Sequence, residues 1–286
     1  MKRSTRSIHR LLLEIIGSAT LALLPGAAFA DRPVPWQIGL QDPATPVADR
    51  LQDLHSQILW IITLVVLFVT ALLAYVCWRF RAKAHPVATQ TAHNTVIETL
   101  WTVLPVLILL FIAVPSFRLL YFQEAVPQST LTLKVTGLQW YWHYAYPDSG
   151  DFGFDSTLVD EADLTDKSLR LLDVDNEVVL PVGTNVRIQI AGSDVLHSWF
   201  VPSLAVQKYA VPGRLNEVWV NIDKEGTYFG ECNQICGVNH AFMPIKVHAV
   251  SKAEFAQWVE AAKTKFPHEA GAAPASSLAA AEAPAR

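Results

Sequence analysis

A two-helix transmembrane hairpin followed by an all-β outer domain is the fold class this sequence predicts, and three observations predict it. Two uncharged runs, residues 58–78 and 99–117, each approach the ~20 helical residues that cross a bilayer core. From Leu131 onward the chain breaks into short β-rich runs separated by turn pairs. A hydrophobic fraction of 51% over 286 residues fits a chain partly embedded in a membrane and partly outside it.

Residues 1–30 read as a secretory signal. Lys2, Arg3, Arg6 and Arg10 form a basic start, residues 11–24 are mostly apolar, and Ala28-Phe29-Ala30 is a small-x-small cleavage pattern that leaves Asp31 as the mature N-terminus. An uncleaved anchor is the alternative, but Glu14 interrupts its apolar stretch. Residues 31–53 are polar and rich in proline, and are expected to form an arm on the membrane surface. The hairpin is assigned to residues 54–121. Pro105 and Pro115 would damage a soluble helix, yet neighbouring helices in a membrane satisfy the backbone groups that proline frees. Arg79, Arg81 and Lys83 lie between the spans with no acid before Glu98, so the positive-inside rule makes this connection cytoplasmic. Everything after Tyr121 then faces outward, the orientation that the signal segment gives independently.

Residues 131–250 are assigned to one outer domain. Residues 130–135 alternate, runs 176–180, 185–190 and 217–222 are β-rich, and 246–250 closes the series. Several short strands over about 120 residues argue for a β-sandwich or barrel. Ser251 and Glu254 form a capping box for a helix over 251–266, with Phe255, Trp258, Val259, Ala262 and Phe266 on one face. The Ala/Pro/Ser tail, 267–286, holds too few large apolar groups to fold alone, so disorder is expected there.

The chemistry concentrates in residues 231–244, ECNQICGVNHAFMP. Cys232, Cys236, His240 and Met243 follow the spacing C-x3-C-x3-H-x2-M, a soft donor set suited to copper. Met243 is one of only 2 methionines, the other being the initiator, so its presence here is pointed. The third cysteine, Cys77, lies in an apolar run and reads as a small buried hydrophobe. Cys232 and Cys236 alone could form a disulfide or half of a zinc site, but neither reading uses Met243. A mononuclear copper site would need one cysteine and two histidines, with His197 as the second imidazole, and would leave a thiolate over. Two copper ions bridged by both thiolates use the whole set, with a backbone carbonyl of the loop as the last donor. Binuclear copper is therefore favoured, and the other three readings stay open. A net charge of −4 gives no basic footprint for nucleic acid.

The loop, His197 and the paired spans resemble cytochrome c oxidase subunit II, whose outer domain is a Greek-key cupredoxin barrel with the binuclear CuA centre. The likeness covers roughly residues 57–258. It includes the stretches ETLWTVLP (98–105), GLQWYW (137–142), VLHSW (195–199) and VPGRLN (211–216), which together are specific. By that resemblance the copper ligands are His197, Cys232, Cys236, His240, Met243 and the main-chain carbonyl of Gln234. The family pattern has Glu at the Gln234 position, where its carboxylate also reaches a magnesium ion shared with subunit I. Gln offers an amide oxygen but no charge, so the resemblance does not carry that magnesium site over. Glu231 stands where the family has Gln.

The resemblance further implies that Trp140 is the residue through which electrons enter from cytochrome c, and an exposed indole is expected there. Tyr141 and Trp142 read as core or interface aromatics. Glu98 would be the mouth of a proton pathway into subunit I, although a helix-start acid needs no such role. From 131 to 250 the chain carries 8 Lys/Arg against 15 Asp/Glu, a balance of −7, which would steer a basic partner. Asp148, Asp151, Asp155, Asp175 and Asp194 are the implied docking acids. Subunits I and III, a lipid bilayer and cytochrome c are the implied partners, and the bacterial inner membrane the implied location. The implied activity is proton-translocating oxygen reduction. No Cys-x2-Cys-His occurs, so no haem c attachment is expected. The rivals are a mononuclear copper carrier and a thiol oxidoreductase or copper-delivery protein that uses Cys232 and Cys236 as a redox pair.

Overall fold

The computed structural model describes residues 29–266 and His268; the expected signal segment up to residue 28 and the expected tail, His268 apart, lie outside the described residues. Two long helices come first. Helix α1, Pro46–Arg79, opens with proline at its first position, and the Thr45 hydroxyl accepts from the Ala48 N–H at 3.1 Å. Helix α2, Thr95–Glu124, is capped by the Asn94 side chain, which accepts from the Val96 and Ile97 N–H groups. Both helices are long and apolar enough to cross a membrane. Their apolar side chains lie almost entirely exposed, as expected of surfaces meant for lipid or partners. Cys77 shares that exposure, so it is not the buried hydrophobe the sequence suggested.

Helix α1 starts well before the apolar run, within the stretch expected to lie on the membrane surface. The cause is burial. Ala44, Thr45, Val47 and Ala48 are all buried. The Ala44 N–H donates to the Ser203 carbonyl at 3.0 Å, the Asp223 N–H to the Ala44 carbonyl at 3.0 Å, and the Thr45 hydroxyl to the Leu204 carbonyl at 3.0 Å. Val47 meets Leu119 of α2 and Trp219 of the β-domain in a small apolar cluster. The joint between hairpin and domain is therefore packed rather than a loose linker.

The domain is a sandwich of two sheets. One contains β1 (Phe29–Asp31), β5 (Val178–Pro181), β7 (His197–Val201), β8 (Val206–Ala210), β10 (Gly226–Cys232) and β11 (Pro244–Val250), in the order β5-β11-β10-β7-β8, with β1 beside β10. The expected cleavage point after Ala30 falls inside β1. The other sheet contains β2 (Leu131–Leu138), β3 (Tyr141–Tyr146), β4 (Phe152–Ser156), β6 (Val186–Gly192) and β9 (Asn216–Val220), in the order β4-β3-β2-β6-β9. Strand β2 alternates buried and half-buried residues along its whole length, the mark of one face on the core. Leu133, Ile188, Ile190, Trp199, Tyr228, Ile245 and Val247 from the two inner faces fill the space between the sheets.

Helix α3, Lys252–Lys265, begins with the capping box the sequence implied. Its Trp258 ring lies 5.2 Å from that of Tyr146 and Phe266 lies 4.6 Å from Phe154, closing the end of the sandwich.

Candidate metal centre

Two strands and one loop bring the donors together. His197 opens β7, Cys232 closes β10, and Cys236, His240 and Met243 follow in the loop before β11. His197 is wholly buried. Its ring rests against Gly137 of β2, where a Cβ would stand only 2.9 Å from the imidazole. On its outer edge, Nε2 meets Asp194 Oδ1 at 2.9 Å, so Nδ1 turns toward Cys232 Sγ at 3.9 Å.

The two sulfurs lie 4.0 Å apart, both free and about twice the length of a disulfide bond. Around them the other donors divide evenly. Cys232 Sγ has His197 Nδ1 on one side and the Gln234 carbonyl at 3.4 Å. Cys236 Sγ has His240 Nδ1 at 3.6 Å and Met243 Sδ at 3.6 Å. Each sulfur thus has an imidazole nitrogen and a weaker donor beside it, with His240 near enough to act on Cys232 as well.

Electrostatics mark the two thiols as unequal. Burial disfavours the Cys232 thiolate, but His197, main-chain groups of Gln234 and Ser198, and His240 outweigh it and bring its pKa down to about 7. Cys236 is pushed up to about 12, by burial and then by the Cys232 charge beside it. A second thiolate at 4.0 Å is therefore disfavoured by the charge of the first. Burial would lower the His197 pKa, but its contacts with Cys232 and Asp194 raise it. Asp194 is held low despite partial burial, because His197 and the N–H groups of Val195 and Gln139 all donate to it. Burial lifts Glu231, with His240 opposing.

Trp140 reaches the loop directly: its indole N–H donates to the Cys236 carbonyl at 3.2 Å. The side chain is half-buried rather than fully exposed, since its ring packs against Gly237. The supporting contacts of three residues, Gln139, Trp142 and Gly137, are not visible in the sequence, although Trp142 is the core aromatic expected there. Gln139 Nε2 donates to the same Cys236 carbonyl at 2.9 Å, while its backbone N–H donates to Asp194 at 2.7 Å. Trp142, fully buried, donates to the Met243 carbonyl at 3.2 Å and packs its ring edge on His197. Gly137 makes room for that histidine. An acid three residues before a strand-opening histidine is the one signal legible in the sequence for this support: Asp194, expected as a docking acid, also meets His197.

The remaining acids scatter. Asp155 pairs with His143 at 2.7 Å, and Asp175 accepts from the Thr157 N–H at 2.7 Å, both on exposed surface. Asp148 and Asp151 sit at the tip of the β3–β4 hairpin, separated from Trp140 by the 6 residues of β3, roughly 20 Å. Glu98 lies in the first turn of α2, where its carboxylate accepts from the Asn94 N–H at 3.1 Å, completing a reciprocal cap.

Comparison with known proteins gives one answer. The family model for the periplasmic domain of cytochrome c oxidase subunit II matches residues 131–250, and that for its transmembrane domain matches residues 33–119. A probable cytochrome c oxidase subunit 2 of Rickettsia bellii is 49% identical, over 86% of this chain and 91% of the relative. Cytochrome c oxidase subunit 2 of Oenothera berteroana is 49% identical, over 81% of this chain and 92% of the relative. The solved periplasmic domain of subunit II of cytochrome oxidase from Bradyrhizobium japonicum is 49% identical, with a TM-score of 0.47, covering 50% of this chain and 99% of that one.

Proposed function

This chain belongs to the cytochrome c oxidase subunit II family, a two-pass membrane protein with a periplasmic β-domain, and from that premise we propose that its outer loop is a binuclear copper centre for electron entry. The ligands are His197, Cys232, Cys236, His240, Met243 and the Gln234 carbonyl. When bound, two copper ions supply one-electron transfer from reduced cytochrome c toward haem in subunit I, where oxygen is reduced and protons are translocated across the bacterial inner membrane.

The chain's own residues do the rest. Cys232 and Cys236 would offer both sulfurs to the metal, Cys236 giving up its thiol proton on binding. Asp194 fixes the His197 ring so that its Nδ1 faces inward. Gln139 and Trp140 clamp the Cys236 carbonyl, so the indole that receives electrons is fastened to the loop that holds the metal. Trp142 and the buried sandwich hold the ligands rigid, limiting rearrangement between oxidation states. Asp155 and Asp194 are the docking acids nearest Trp140, with Asp175 adjoining and Asp148 and Asp151 more remote. Glu98, at the inner end of α2, admits protons toward subunit I. Subunits I and III are the partners in the complex. No magnesium role is assigned to Gln234, whose amide lacks the charge.

The observation that carries this reading is the even division of donors about the two sulfurs, one imidazole and one weaker donor to each. Metal analysis with electron paramagnetic resonance on the purified full chain tests it. Two coppers per polypeptide sharing one unpaired electron is the expected result. A single copper, or a Cys232–Cys236 disulfide in the working protein, overturns it.

A further inference from the structure

At the outer ends of the two spans, α1 and α2 enclose a cleft of about 220 Å³ that none of the roles above uses. Its polar lining is Arg50, Asp53, Gln57 and Arg118; Leu54, Pro115 and Leu119 form an apolar wall. Gln57 is the last residue before the uncharged run of α1, and Arg118 is the first residue after that of α2. In antiparallel helices, both therefore stand at the outer edge of the hydrocarbon. Exposed Trp60 and Tyr121, each within a turn of that edge, form the aromatic belt expected at headgroup level.

Snorkelling accounts for a single arginine at this height. It does not account for a second guanidinium lining the same cleft. Arg50 stands about two turns higher on α1, and its guanidinium carbon lies 3.5 Å from the centroid of the Phe122 ring, a stacking that leaves the N–H edges free to donate. Among the described residues neither Arg50 nor Arg118 makes an ion pair. Two cations and one carboxylate give the cleft a formal charge of +1, the complement of one phosphodiester.

We propose that this cleft is a phospholipid site. Arg118 and Arg50 hold the phosphate between the helix ends, the Gln57 amide donates to the glycerol ester region, and the acyl chains descend past Pro115, about one turn inward of Arg118. Guanidinium forks suit phosphate oxygens better than any other side chain does. The position of Gln57, Pro115 and Arg118 at the edge of the uncharged runs, where the cleft adjoins the hydrocarbon, distinguishes a lipid from a free anion. This inference rests on the membrane reading of the hairpin and not on the metal.

The test uses the oxidase complex extracted from its own membranes and washed in detergent until annular lipid is gone. Mass spectrometry should then find a phospholipid retained by the native complex. Retention should fall at least about tenfold in the Arg50→Gln/Arg118→Gln variant, whose copper content serves as the fold control. Should that variant fail to assemble, the delipidated native complex is titrated with dioleoylphosphatidylglycerol and, separately, dioleoylglycerol. Saturable uptake of the phospholipid alone is expected. Equal retention in both proteins, uptake without regard to the phosphate, displacement of the lipid by inorganic phosphate, or loss of a partner subunit from a variant whose native form retains no lipid would each overturn the proposal.

Discussion

The hairpin and the β-domain draw on the same apolar residue types and put them to opposite use. Phe68 of α1 is 61% exposed, whereas Leu133 of β2 is 0% exposed. The β-domain is held by its own core, which side chains from both sheets fill together. The hairpin closes its backbone hydrogen bonds internally and leaves its side chains to the bilayer and to other subunits. One region is therefore sensitive to any change inside it. The other is sensitive to what surrounds it, and its few polar residues stand out against a uniform background.

The largest expected effect separates the two regions by stability. Trp142→Ala should cost about 3–5 kcal/mol, because a fully buried ring and its hydrogen bond to Met243 are lost together. Phe68→Ala should cost about 0.5 kcal/mol or less in the same full-length protein. Denaturant unfolding in detergent measures both, and equal costs would erase the distinction. A smaller effect separates them by function. Glu98→Ala, on the inner side of the membrane, should slow haem reduction in the assembled oxidase several-fold and leave the copper spectrum untouched. An unchanged reduction rate removes the proton role, and an altered spectrum would show that the regions are not independent. The smallest effect sharpens the comparison within the β-domain. Electron delivery from cytochrome c should slow as ionic strength rises from about 0.05 to 0.2 M. Stopped-flow rates should show Asp155→Asn flattening that dependence more than Asp148→Asn at the hairpin tip. Arg81→Gln, across the membrane and beyond a screening length of ~10 Å, should leave it alone. A salt-independent rate sinks the docking role.

The hairpin was legible in the sequence because a long uncharged run has few uses other than crossing lipid. The start of α1 at Pro46 was not, since Val47 and Ala48 are buried, Val47 against Trp219 of a domain some 170 residues away in the chain. Strand β2 announced itself by alternation, having one face on the core and one half-exposed. Strands β7 and β10 are buried on both faces for most of their length, so no period of two survives, and Gly226 and Gly230 weaken the signal further in β10. The candidate metal loop stood out in the sequence because four soft donors lie within one short segment and differ in type from everything around them. Gln139 could not: it acts on the Cys236 carbonyl 97 residues distant, and a backbone acceptor leaves no trace in sequence. Asp194 was seen as a charge, but its contact with His197 depends on a turn that only the fold supplies.

Between the packed joint at Thr45 and the lipid edge at Ile58, helix α1 runs unbroken for roughly 18 Å at about 1.5 Å per residue. It works as a ruler, gripped by the domain at one end and by the membrane at the other. Adding a single residue along it would shift the β-domain by about 1.5 Å along the helix axis and turn it through about 100° relative to the membrane. The length of that plain segment thus sets how far the loop of residues 231–244 stands from the lipid, although no residue in it touches that loop.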